Sequence, residues 1–200
     1  MGERHETKLA IWRRFSMNVD ALFALLVEAK KQCGHSDYVI IGSLSILGMS
    51  DVTAIPGDMT MSIDADCYTL SDPGRIMDLR PALGEGSPYH KLRGIYLDPV
   101  SPKLPTLPEH WESRLLRMER QGVVALFLEP HDAAVSKLAR GEERDVRWVL
   151  AGARNNIISL PTVAVRMKSA NFLDEDENQM AKSLLEKVRA DMKHASALQR

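Results

Sequence analysis

Over residues 59–68 apolar and polar side chains alternate: Met59, Met61, Ile63, Ala65 and Cys67 take one parity, and Thr60, Ser62, Asp64, Asp66 and Tyr68 take the other. A period of two belongs to an extended chain, whose successive side chains leave on opposite faces; a helix of 3.6 residues per turn cannot segregate such a pattern. The segment is expected to be a half-buried strand, and a strand needs neighbours. Tyr38-Val39-Ile40-Ile41 is a β-branched run too short for a helix, stopped by Gly42-Ser43. Residues 94–100 read as another strand, which Pro99 forces to an edge or an end. Residues 113–119 and 123–128 read as a hairpin across Gln121-Gly122, its second arm apolar enough for a central position.

Helical spacing fills much of the remainder. Leu22, Leu25, Leu26 and Ala29 follow Asn18 at helical intervals, and Cys33-Gly34 ends the pattern. Residues 44–47 suit a short helix after the turn at Gly42-Ser43. Glu129-Pro130-His131-Asp132 opens a helix through Arg140, Gly141 breaks it, and a second helix is expected over 142–153. The last helix, over 178–194, places Ala181, Leu184, Leu185, Val188 and Met192 on one face, a stripe that must pack on the body or on a partner. Residues 71–88 are rich in turn formers and are expected to be a long loop with one helical turn at 75–78, residues 49–56 to form an excursion, and prolines 102, 105 and 108 to hold an extended connector. The fold expected is α/β (α+β), a small mixed β-sheet core with flanking helices and a helical C-terminal part, divided at residues 1–128 and 129–200.

A chain of 200 residues buries roughly 70% of the surface its unfolded form exposes, so its stability requires neither a disulfide nor a structural metal. Cys33 and Cys67 are read as small buried residues, and neither has the ligand spacing of a zinc site. No apolar run approaches the ~18 residues of a membrane helix, and the start, Met1-Gly-Glu-Arg-His-Glu, offers no secretory signal, so a cytoplasmic protein without a membrane partner is expected. A formal charge of -1 excludes a dedicated duplex-binding surface but leaves room for a local basic site.

Asp64 and Asp66 are the residues most suggestive of chemistry. Two apart on a strand, they share a face with Cα atoms roughly 6.6 Å apart, and like charges so placed repel unless a cation lies between them. Mg²⁺ suits such a pair because it takes one or two carboxylates and completes its shell with phosphate oxygens and water. The alternative is a solvated strand face. Gly42-Ser43 allows close backbone approach and offers a hydroxyl where a phosphate could sit, or it is an ordinary strand-to-helix turn. Lys137 lies at the border of the stripe Ala134, Val135 and Leu138, where it can meet a phosphate as a point charge; Asp145 could orient it or act as a base, and Arg144 is a second candidate cation. Against these stands the reading of 137–145 as a solvated charge run. His90 and His131 read as surface or capping residues, and Arg114, Arg117 and Arg120 as solvated charge.

In combination these stretches resemble the polymerase-β-like nucleotidyltransferases, and within them a bacterial stand-alone branch related to AbiEii-type toxin nucleotidyltransferases. Ile40-Ile-Gly-Ser43-Leu-Ser-Ile-Leu-Gly48 is similar to the Gly-Ser signature, and Met61-Ser-Ile-Asp64-Ala-Asp66 to the paired carboxylates. Residues 83–90, Gly94 to Asp98, Leu107 to Trp111 and Arg114-Leu115 are similar to stretches of uncharacterised stand-alone members, and Pro130-His-Asp132, Ser136-Lys137 and Arg144-Asp145 to the lysine motif with its following aspartate. The resemblance implies transfer of a nucleoside monophosphate from an NTP, with Mg²⁺ (or Mn²⁺) held by Asp64 and Asp66, Gly42 and Ser43 at the triphosphate, Lys137 and Arg144 near the phosphates, and Asp145 alongside. It also implies a third carboxylate, for which Asp98 is preferred over Glu129. The partners it brings are an RNA acceptor such as a tRNA end, or a protein acceptor, together with an antitoxin and a homodimer. The competing readings are a non-catalytic transferase-like binding module and a metal-dependent phosphoesterase or nuclease.

Overall fold

Asn18 starts the first described helix, α1 (Val19–Cys33), its side chain accepting from the Ala21 N–H at 2.8 Å, and Gly34 ends it in the left-handed conformation at φ 79°. Leu22, Leu25, Leu26 and Ala29 are buried as their spacing predicts, together with Phe23. The computed structural model describes residues 17–49 and 54–198. The excursion expected over 49–56 falls in part on residues 50–53, and the N-terminal segment on residues 1–16, outside the described residues.

Among the described residues, strands β1 (Asp37–Ile40), β2 (Asp64–Thr69), β3 (Tyr96–Pro99), β4 (Leu116–Arg120) and β5 (Val123–Phe127) form one mixed sheet in the order β3-β2-β1-β5-β4. β1 runs antiparallel to β2 and parallel to β5, while β2 and β3 are parallel. Tyr38, Val39 and Ile40 are wholly buried, because the central strand is covered on both faces. Pro99 sits in edge strand β3, where a missing N–H costs no ladder bond, and β4 and β5 form the expected hairpin with β5 in the interior. The sheet and its flanking helices are the mixed α/β architecture expected from the sequence.

Three local expectations need correction. The alternating segment is extended only from Asp64. Its first residues form the short helix α2 (Gly57–Thr60), in which Met59 is buried and its carbonyl accepts from the Trp148 indole N–H at 3.1 Å, while Met61 is 65% exposed. A distant tryptophan that must find a buried acceptor overrides a local pattern that reads equally well as strand. The segment 71–88 holds the helical turn expected at 75–78 but is not otherwise a long loop: a 3₁₀ helix (Pro73–Leu79) leads into α3 (Arg80–Leu83), and Ser87 caps α4 (Pro88–Arg93). Pro73, Pro81 and Pro88 each occupy a first-turn position, so these residues start short helices rather than break longer ones. The helix α7 (Leu160–Arg166), capped by Ser159, was not anticipated.

The helices α5 (Pro130–Arg140) and α6 (Glu143–Arg154) follow the sequence pattern closely. The last helix, α8 (Glu175–Leu198), begins three residues earlier than expected and lies on α5 and α6, with Ala181, Leu185 and Val188 buried. Its apolar stripe therefore packs on the body of the chain. No helix among the described residues is long and apolar enough to cross a membrane.

Candidate active site

Register brings the acidic residues together. β2 and β3 pair so that Asp66 lies beside Asp98, and Asp64 stands two residues along the same face of β2. One carboxylate oxygen from each of Asp64, Asp66 and Asp98 lies within 4.8 Å of the other two, all three residues being half-buried. The Ser62 hydroxyl donates to Asp64, and the Arg80 guanidinium stands 3.8 Å from Asp98. Burial, with the charges of Asp64 and Asp98, pushes the Asp66 carboxyl up to about 7. Burial also raises the carboxyl of Asp98, against the pull of Arg80. Glu129, the other candidate for a third acid, is engaged elsewhere: it caps α5 through the backbone N–H groups of His131 and Asp132, and pairs with His131 and Arg166.

The turn after β1 is built around Asp66. Gly42 has φ 66°, and a Cβ there would stand 2.0 Å from Asp66 Oδ2, so only glycine lets the acid occupy its position. The Ser45 hydroxyl donates to the Gly42 carbonyl at 2.8 Å and braces the 3₁₀ turn Ser43–Gly48. Ser43 opens that turn without capping it; its hydroxyl instead accepts from Lys137 Nζ at 2.9 Å.

Lys137 is only 3% exposed, although it sits near the C-terminal end of a surface-length helix. Its ammonium donates to Asp145 Oδ1 at 3.1 Å and lies 4.9 Å above the Trp148 ring. Burial pulls its pKa below the ordinary lysine value, against the opposing influence of Asp145. Asp145 is fully buried and also receives two bonds from Arg140, at 2.7 and 2.6 Å. Burial would raise its carboxyl, but the Arg140 bonds and the Lys137 charge outweigh burial and hold it below the usual range. Both Asp145 oxygens are thus engaged by the two cations.

A cavity of about 390 Å³ joins these groups, lined by Gly42, Asp66, Lys137 and Arg140 together with apolar Ile41, Leu104, Pro105, Leu128 and Ala133. Arg144, by contrast, is exposed on α6 and paired with Glu142 at 2.6 Å. The cation that lines the cavity beside Lys137 is Arg140. Its helical spacing one turn after Lys137 was a signal for this position. His90 packs its ring on Tyr96, and His131 accepts from the Ser159 N–H, both consistent with structural duties.

Comparison with known protein families decides the kinship. A family model described as a nucleotidyltransferase of unknown function (DUF6036) matches residues 20–195. The chain belongs to this family. No curated protein and no solved structure shows a significant match to it. The match runs from the second residue of α1 through most of α8 and includes all the side chains gathered at the cavity.

Proposed function

We propose that this nucleotidyltransferase family member transfers a nucleoside monophosphate from an NTP to a hydroxyl of an RNA or protein acceptor, using Mg²⁺ or Mn²⁺. The observation that carries the reading is the convergence of Asp64, Asp66 and Asp98 beside a cavity lined by Gly42, Lys137 and Arg140. The donor set fits a hard divalent ion: three carboxylates share one small volume, and burial, together with the charges of Asp64 and Asp98, lifts Asp66 far above an ordinary aspartate. A divalent ion held by Asp64, Asp66 and Asp98 would neutralise charge on the triphosphate and polarise the phosphoryl group under attack.

The remaining duties fall to the chain itself. Lys137 and Ser43 form a hydrogen-bonded pair at the glycine turn, where the ammonium and hydroxyl can both donate to phosphate oxygens. Asp145 holds Lys137 and Arg140 in place before substrate arrives, so little reorganisation opposes binding. Asp98, whose side chain is 41% exposed, is the acid best placed to take up the proton of an incoming acceptor hydroxyl. In the reaction the acceptor oxygen bonds to the α-phosphorus, the α–β bridge breaks, and pyrophosphate leaves. An RNA end or a protein hydroxyl as acceptor is taken by analogy from the resemblance of residues 130–145 to the lysine motif of a branch related to AbiEii-type toxin nucleotidyltransferases.

Incubation with each α-labelled NTP and Mg²⁺, in the presence of total cellular RNA or protein, tests the proposal. Label is expected in one macromolecular fraction and is lost in the Asp64→Asn, Asp66→Asn double variant with the fold intact. Undiminished labelling by that variant would refute the roles assigned. Release of free nucleotide in place of incorporation would identify a phosphoesterase instead.

A further inference from the structure

The cavity reaches beyond the groups that suit phosphate. Its lining includes Leu104, Pro105 and Thr106 of the proline-rich connector and Glu177 of α8, two segments with no part in the acid and lysine cluster. The Thr106 hydroxyl lies 3.2 and 3.1 Å from the two Glu177 carboxylate oxygens and fastens connector to helix. Glu177 thus brings to the cavity wall a carboxylate from α8, outside the sheet that carries Asp64, Asp66 and Asp98. The lining combines Asp66 and two cations with apolar walls and a second carboxylate.

We propose that the connector and α8 seat the nucleoside portion of the NTP, with Glu177 as a specificity-determining residue that selects bases carrying an exocyclic amino group. The proposal rests on reading the site as a nucleotide site. A triphosphate placed against Lys137 and Arg140 leaves its nucleoside to the apolar remainder, where Leu104, Pro105, Leu128 and Ala133 can contact a flat ring. An ionised carboxylate only accepts hydrogen bonds. The single Thr106 hydroxyl proton is within reach of both Glu177 oxygens, and Oε2 also accepts from the Leu173 N–H at 2.7 Å, which leaves acceptor capacity to spare among roughly four lone-pair sites. Adenine, cytosine and guanine present amino donors to such a group. Uracil presents one imide N–H flanked by two carbonyl oxygens, so a carboxylate facing that edge meets repelling acceptors.

The test is calorimetric titration of the full chain with the four α,β-methylene NTPs and Mg²⁺. The variants are Glu177→Gln, whose amide can donate as well as accept and which keeps an acceptor for Leu173, and Thr106→Val, which removes the competing hydroxyl but leaves the carboxylate. The wild-type protein should bind the uridine analogue about ten-fold or more weakly than the best amino-bearing analogue, as expected when an acceptor is left facing an acceptor. Glu177→Gln should shrink that ratio to about two-fold or less without lowering the melting temperature, and Thr106→Val should preserve it. Uridine binding equal to the others, or a ranking unchanged in Glu177→Gln, overturns the base readout while leaving the nucleotide site standing. Absence of binding by every analogue to wild-type protein overturns the nucleotide reading as well.

Discussion

Replacing Asp66 by Asn should make the metal-free protein more stable at alkaline pH and should abolish the stabilisation that Mg²⁺ gives. The carboxyl is raised from 3.8 to about 7 by burial and by the charges of Asp64 and Asp98. An acid whose pKa rises on folding binds its proton more tightly in the native state, so its ionisation costs stability as pH increases from about 4 to about 7. Three pKa units at 1.36 kcal/mol each set an upper figure of about 4 kcal/mol above that window, and relaxation around the charge would reduce it. Urea denaturation of both proteins in chelator, at about pH 4 and about pH 8, measures the effect. The difference between them isolates residue 66, because Glu129 and Asp145, whose carboxyls are held low and which therefore destabilise the fold as pH falls, are common to both. Asp66→Asn should exceed wild type by about 2 to 4 kcal/mol at the higher pH and by little at the lower. Mg²⁺ at a hundred times its dissociation constant should restore about 2.7 kcal/mol to wild type alone. Equal stabilities at both pH values, or an equal Mg²⁺ response in the variant, would refute the account of a buried acid raised further by two neighbouring acids at a cation site.

Two further substitutions probe the neighbouring parts. Gly42→Ala places a methyl 2.0 Å from Asp66 Oδ2 at a backbone φ of 66°, so the acid must move. A loss of about 1 to 3 kcal/mol and of the Mg²⁺-dependent melting shift is expected, and a variant that retains the full shift would contradict it. Asp145→Ala leaves Lys137 buried without its carboxylate and should cost about 3 to 5 kcal/mol in urea denaturation. Lys137→Met in that background should recover much of the loss, and a double variant no more stable than Asp145→Ala would show that the buried ammonium is not the cause.

The acid pair, the glycine-serine turn and the helix carrying Lys137 were readable because each depends on local chemistry. Parity puts Asp64 and Asp66 on one face, and the amphipathic spacing of α5 sets Lys137 against its apolar stripe. Arg140 was harder to separate from Arg144 because both lie within a few residues of Asp145; the choice depends on which cation faces the cavity, and that follows from how α5 and α6 pack. Glu177 carried no recognisable motif, since its relevance arises from a contact with Thr106 across 71 positions of sequence. The helical turn expected at 75–78 lies within the 3₁₀ helix, whereas the short helices over 80–93 were missed because proline and glycine signal a turn without saying whether a helix starts after it.

From its residue order alone this chain determined a mixed sheet, the helices that flank it, and a strand that presents two aspartates together. Those properties follow from side-chain periodicity and capping, which act over a few residues. Tertiary structure decided that Asp98 joins the pair through parallel register, that Asp66 fills the space of an absent Cβ at Gly42, and that Asp145 clamps Lys137 and Arg140 beside them. The first two are contacts between segments distant in sequence, and the third, although only five to eight residues separate its partners, is set by how α5 and α6 pack. All lie in a low-dielectric interior, where charges act on one another far more strongly than they do in water.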